Sequence, residues 1–346
     1  MSLSAAFQEQ AESCAALGSP FMARLLTLLA ENWPSQSALD RRVASFEGDI
    51  GPAGHSVPLR IASALHALVL AGSDKALAEV YPPRAAPDTA LQKAVLAALD
   101  QHESFILKWI ESPPQTNEVR RAAALIAGAQ VAIQHANLPI HLSELGASSG
   151  LNMHWDSYAL DIKGRRFGQS MPAIILAPEW QGAPPPAGRT PQIASRAGVD
   201  LNPLDPRRND HLMRLMAYLW PDQPERLKLT RAAASVAGTP PAQGDAIEWL
   251  NHRLLTAPQG RLHLIQHTVA WQYFDKASQK RGKALIEAAG ARARPNRPLA
   301  WLSMEADGDT GAKGAALTLR LWPGDLRLDL GRVDFHGRWV DWRYSG

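Results

Sequence analysis

Residues 143–152, Ser-Glu-Leu-Gly-Ala-Ser-Ser-Gly-Leu-Asn, hold the densest set of groups able to do chemistry in this chain. A glycine-rich turn between an apolar run, Ile140–Leu145, and a helical segment lets a ligand approach the backbone. The N-terminus of a following helix favours negative charge. Glu144 closes the run with a carboxylate able to accept hydrogen bonds from an amino or hydroxyl group. Two more acids follow at similar boundaries: Asp200 in Gly-Val-Asp-Leu-Asn-Pro (198–203), and Asp245 in Gly244-Asp245-Ala246 before an amphipathic stretch. His267, Thr268, Trp271 and Gln272 then gather polar and aromatic groups after a further apolar run, 261–267.

These groups need elements to position them. Residues 1–137 read as helices, with Leu59, Ala62, Leu65, Leu68 and Val69 at three- and four-residue spacing and Pro pairs as punctuation. An Ala-rich helix to about Ala136 starts after Gln115-Thr116-Asn117-Glu118. From residue 138 strands alternate with helices: strands near 140–145, 192–200, 261–267 and 299–304, helices near 209–219, 224–237, 246–255 and 276–290. That alternation predicts an α/β fold with a mostly parallel sheet covered on both faces. Two final strand-like runs, 316–322 and 326–342, lack an intervening helix and predict an antiparallel edge, the second run being a hairpin in itself. Residues 159–190, Pro-rich in their second half, read as an inserted hairpin and loop. The expected organisation is thus a helical N-terminal cap or bundle, 1–137, and a sheet domain, 138–346.

The E-x-G-x-x-x-G turn after a first strand resembles the first motif of class I S-adenosylmethionine-dependent methyltransferases, and the order of the later segments is similar over about 138–346. The resemblance implies a Rossmann-like sheet with S-adenosylmethionine as cofactor. It implies that Glu144, Gly146, Ala147, Ser148 and Gly150 hold the methionine end. Asp200 would hold the ribose hydroxyls, and Asp245 with Ala246 the adenine. Ser148 stands where the family usually has a glycine. Gly150 and Asp200 are 50 residues apart, against about 20 in such folds, and the insertion accounts for the excess. His267 lies where catalytic groups project and is the candidate general base. The whole chain also resembles a bacterial family of unknown function, through PLRIASALHALVL (58–70), SPPQTNEVRR (112–121), ELGASSGLN (144–152), GVDLNPLD (198–205), WPDQPERL (220–227) and QHTVAWQY (266–273).

Each residue also has a plainer use. Asp200 could turn the chain, and Asp245 could cap a helix, a role compatible with facing a cleft. Trp271 could pack beneath the following helix. Thr116 and Asn117 could cap a helix after the Pro pair or face the cofactor carboxylate. Gly146-Ala147-Ser148-Ser149-Gly150 also spells G-x-S-x-G, the nucleophile turn of α/β-hydrolases, with Asp245 and His267 following in that fold's order. The alternatives are therefore a non-catalytic adenosyl-ligand or metabolite-binding protein on the same fold, and an esterase using Ser148.

Composition narrows the partners. Charged residues are 20% of the chain, which argues against global disorder, and the net charge is only +3. A nucleic-acid-binding protein would show a denser basic patch, so a small-molecule substrate is expected instead. No metal-ligand motif appears, and the single cysteine, Cys14, excludes an intramolecular disulfide. MSLSAAFQEQ lacks a basic region followed by an apolar core, and no stretch approaches the ~18 apolar residues of a span. A soluble cytoplasmic protein is the expectation.

Overall fold

A computed structural model of the protein describes residues 2–52 and 54–346. The chain opens with helices α1 (Leu3–Ala16), α2 (Pro20–Asn32), α3 (Ala38–Ala44), α4 (Val57–Leu70), α5 (Lys75–Ala78), α6 (Asp88–Gln101) and α7 (Glu103–Ile110). Then come α8 (Ala122–His135), β1 (Ile140–Leu145) and a 3-10 segment (Leu151–Ser157). The short strands β2 (Ala159–Ile162), β3 (Arg165–Gly168), β4 (Ile175–Leu176) and β5 (Glu179–Gln181) precede β6 (Ile193–Asp200). Next are α9 (Asn209–Ala217), α10 (Pro224–Ser235), β7 (Ala242–Gln243) and α11 (Ala246–Leu255). The remaining elements are β8 (Leu262–Thr268), α12 (Lys276–Ala291), β9 (Leu299–Glu305), β10 (Ala315–Trp322), β11 (Leu326–Val333) and β12 (Trp339–Trp342).

Two compact units divide this chain, at places other than residue 137. The helical unit runs to Thr116 and includes Asn209–Lys228; the sheet unit is Asn117–Arg208 with Leu229–Gly346. Side-chain bonding explains why 209–228 returns to the helices. Asp222 accepts from Ser19 Oγ at 2.6 Å and from the Phe21 amide at 2.9 Å, near the start of α2. His66 Nδ1, on α4, meets the Ala217 carbonyl at 3.1 Å. α4 is buried along nearly its whole length, so its polar groups must be bonded within the unit. Arg60 accordingly donates to the Ile110 carbonyl at 2.8 Å, and Ser63 accepts from Trp109 Nε1 at 2.9 Å.

α8 belongs with the sheet. Its residues Ala122–Ile133 are all buried, because a helix apolar on every side needs cover all round. It lies so close to β9 that a Cβ on Gly128 would fall 2.6 Å from Leu302 Cδ1. On the other face, Ile286 of α12 and Leu250 of α11 share a core with Leu299, Ile265 and Leu145. Leu299 and Leu302 are three apart on one strand and so point to opposite faces, which places helices on both sides of the sheet.

Among the described residues, the main sheet has nine strands in the order β5-β12-β11-β10-β9-β8-β1-β6-β7. Pairings from β7 through β9 are parallel, those from β9 to β12 antiparallel, and β5 pairs parallel with β12. The parallel half, numbered in chain order, runs 3-2-1-4-5, the doubly wound order whose direction reverses between β1 and β8. The expected inserted hairpin is β2–β3; β4 joins it in a small separate sheet. The insertion also supplies β5, so the antiparallel strands are not themselves the edge. Among the described residues, no helix is long and apolar enough to cross a membrane.

Candidate functional site

In open α/β sheets, ligands bind beyond the carboxyl ends of the strands where the order reverses. Here the order reverses between β1 and β8, where Glu144 and Gln266 are direct register partners. Gly146, Ser148 and Gly150 all have positive φ (64°, 53° and 75°), so three left-handed residues fold the turn back on the strand. For Ser148 this is an uncommon conformation, held by its bonds: its amide donates to Asp200 Oδ2 at 2.8 Å, and its carbonyl accepts from the Leu204 amide.

That first bond settles where the second acid lies. The 50-residue gap is filled by β2–β5, and the parallel pairing of β6 with β1 returns Asp200 to the turn. Its other oxygen accepts from the Asn202 amide at 2.9 Å, so Asp200 both turns the chain and faces the glycine segment. Asp245 follows β7, next along the sheet. It caps α11 through bonds to the Ile247 and Glu248 amides at 2.9 and 2.8 Å, leaving its side chain half exposed with Arg281 at 3.5 Å. Ala246 is buried as the first residue of that helix.

Four amides of this segment are already bonded within the protein. The Ala147 amide donates to the Val199 carbonyl, Ser148 to Asp200, Gly150 to the Ala147 carbonyl, and Leu151 to Asn117 Oδ1. Donors used inside the turn are not offered to a ligand. Gly146 is required for packing: a Cβ there would fall 2.5 Å from the Ala270 Cβ.

Beneath the turn the surplus is of acceptors. Gln266 is fully buried; its Nε2 donates to Glu144 Oε2 (3.2 Å) and to the Asn152 carbonyl (3.3 Å), and its Oε1 accepts from Trp155 Nε1 (2.9 Å). Asn152 Nδ2 is directed to the Glu118 carbonyl, which fixes the amide orientation and leaves Asn152 Oδ1 buried with no partner. Burial, opposed by the Gln266 bond and reinforced by the Asp200 charge, pushes the Glu144 carboxyl up to about 8. An acid that resists ionising, and an unpartnered side-chain oxygen on a residue bonded to the same Gln266, are both short of hydrogen-bond donors.

His267 requires a correction. Its Nδ1 bonds Glu305 Oε1 at 2.7 Å, and its Nε2 accepts from Trp301 Nε1 at 2.8 Å. Trp Nε1 can only donate, so the ring proton sits on Nδ1 and both nitrogens are occupied. The buried ring has no lone pair left for a substrate proton, so the general-base role is not available in this arrangement. Glu305 also accepts from the amides of Ala270, Trp271 and Gln272. Burial alone would raise this carboxyl, but the bonds from His267 and the amides outweigh it and hold the group below the usual carboxylate range. Glu305 thereby shapes the loop after β8, in which Val269 takes a φ of 53°, costly for a β-branched residue.

The other candidates divide. Trp271 stacks on His267 and packs where Gly282 of α12 has no side chain, so it is a packing residue. Gln272 Oε1 accepts from the Ala306 amide, tying two loops at the strand ends. Asn117 is buried, its Oδ1 taking Ser149 Oγ at 2.8 Å and the Leu151 amide at 2.9 Å. It therefore serves the glycine turn. Thr116 is exposed, the last residue of the helical unit's first segment. The hydrolase constellation does not assemble from its named members, since His267 is bonded to Glu305 and Trp301 and Asp245 caps a helix. Gln266, Asn152 and Glu305 were missed. The first two stand within the segments QHTVAWQY and ELGASSGLN, and Glu305 is an acid at the end of a parallel strand, a position that could have singled it out.

Fold and site together define an α/β protein with a doubly wound core and a buried, acceptor-rich cluster at its switch point. The chain belongs to a bacterial family described as "Uncharacterized protein conserved in bacteria (DUF2332)", whose model matches residues 4–342. No curated protein and no solved structure matches it.

Proposed function

We propose that this protein is an S-adenosylmethionine-dependent methyltransferase acting on a small molecule, in a reducing cytoplasmic setting. The observation that carries the reading is that Glu144 with the glycine turn, Asp200 and Asp245 stand at the ends of three adjacent parallel strands, β1, β6 and β7, in the order the sequence resemblance requires. The donor shortage beneath the turn supports the same ligand. A primary ammonium brings three donors and a positive charge, matching the Glu144 carboxyl and the orphan Asn152 Oδ1. Asp200, which accepts from the Ser148 and Asn202 amides at the edge of the turn, is the acid for the vicinal hydroxyls.

When bound, the cofactor supplies a sulfonium methyl already activated for transfer. The residues of this chain then act by holding: Glu144 and Asn152 fix the ammonium end, Asp200 the hydroxyls, and Glu305 keeps the loop 268–272 in one conformation. Positioning of two reactants can itself supply a large part of a rate enhancement. The occupied nitrogens of His267 favour a second reading, a binding protein for the same ligand without transfer.

Calorimetric titration with S-adenosylmethionine and with S-adenosylhomocysteine tests the site. Micromolar binding that weakens at least tenfold (about 1.4 kcal/mol) in both Asp200→Ala and Glu144→Ala is expected. No binding of either ligand at millimolar concentration overturns the reading. Transfer of labelled methyl to a pool of small-molecule acceptors then separates enzyme from binder.

A further inference from the structure

The amino ends of the same strands hold a second polar cluster, independent of the site above. In register across the sheet, His141 of β1 faces Ser195 of β6 and His263 of β8. Arg253 of α11 donates Nε to Ser143 Oγ at 3.1 Å and Nη2 to the Leu142 carbonyl at 3.0 Å. Guanidinium only donates, so the Ser143 hydroxyl accepts from it, and the arrangement that also uses the hydroxyl proton sends it to His263 Nε2, 2.9 Å away. Burial, with His141 and Arg253 adding to it, pushes the His263 pKa down to about 3, which keeps the ring neutral. Its single ring proton is therefore on Nδ1, which is buried and has no partner.

His263 lines an open cavity of about 40 Å³ together with Arg292, Arg297, Leu254 and Pro298. No acidic residue lines it. Among the described residues, neither arginine side chain has an ion pair or hydrogen bond. α11 and α12 both end here, and each helix C-terminus carries about half a negative charge, so the pair offsets roughly one of the two arginines. The lining stays net positive, with an unused buried N–H behind it.

We propose that this cavity binds a small tetrahedral oxyanion, inorganic phosphate or the terminal group of a phosphomonoester. Arg292 and Arg297 supply the charge and His263 Nδ1–H the buried donor. Titration of the full-length protein with inorganic phosphate at constant ionic strength, followed by the ring ¹⁵N shifts of His263, tests it. Saturable binding with a shift at Nδ1 is expected, weakened at least tenfold in Arg292→Gln/Arg297→Gln (about 1.4 kcal/mol). Binding should be retained in Lys276→Gln/Lys280→Gln, which removes the same charge elsewhere on α12. Methyl phosphate in a parallel arm identifies the source: tighter binding than phosphate assigns a phosphomonoester, equal or weaker binding assigns the free anion. Absence of saturable binding up to about 20 mM, in the range of very weak sites, overturns the proposal. Equal binding in the Arg292→Gln/Arg297→Gln protein overturns it as well.

Discussion

β1 carries two buried polar clusters, one around Glu144 and one around His141 and Ser143, and they differ in chemical character. At its carboxyl end, Glu144, Gln266 and Asn152 leave an acceptor without a donor. In the other, built from His141, Ser143, His263 and Arg253, His263 Nδ1 lacks an acceptor, and His141 Nε2 has no partner either. One strand therefore has an end suited to a cation and an end suited to an anion. Ordinary buried polar groups are paired, so the unpartnered atoms in each cluster mark a demand on a ligand more than a packing need.

The comparison breaks most visibly at the carboxyl end. Glu305→Ala should destabilise by roughly 3–5 kcal/mol, since it strands His267 and the loop amides that now share one carboxylate. Urea unfolding reads this; a loss under about 1 kcal/mol would mean the loop is not organised by Glu305.

Glu144 makes the contrast pH-dependent. Its folded pKa is raised, so its contribution is fully present below the unfolded value near 4.5 and is lost as pH rises through about 8. Glu144→Gln should match the wild type at pH 4 and exceed it by up to about a few kcal/mol at pH 9. Ammonium binding must lower this pKa and release a proton, so titrations near pH 7 in buffers of different ionisation enthalpy should register proton release. Equal observed heats in all the buffers would separate Glu144 from the ligand.

At the amino end, Ser143→Ala should cost about 1–3 kcal/mol by orphaning an Arg253 donor and His263 Nε2. It should also remove the constraint on the tautomer, visible as a mixed Nδ1/Nε2 signal for His263; an unchanged tautomer would mean another group sets it. The smallest effect belongs to Asp245→Ala, about 1 kcal/mol for a lost helix cap. Cofactor affinity sharpens that residue: unchanged binding leaves Asp245 a cap alone, while a tenfold loss adds a ligand contact.

Much of the sheet was legible because local pattern and tertiary need agree there. β1 was expected at 140–145 and stands there, and α11 and α12 match within a residue. The apolar period and the glycine punctuation of those segments are the same features that bury them. The domain boundary was not legible. α8 reads as one more helix in a helical half, and only its all-round burial against the sheet assigns it. Residues 209–228 sit in sequence among α/β elements, yet the bonds of Asp222 and Ala217 return them to the helices.

The chain's chemistry divides along the same line. Local sequence determined the glycine turn, the acids at strand ends and the absence of an intramolecular disulfide, because each depends on residue type and near neighbours. Tertiary structure alone decided that Asp200 reaches Ser148 across 52 positions, that Glu305 and Trp301 occupy His267, and that Ser143 and Arg253 leave His263 a proton to donate. A hydrogen-bond count balances only when every neighbour is in place, and those neighbours come from strands and helices far apart in the chain.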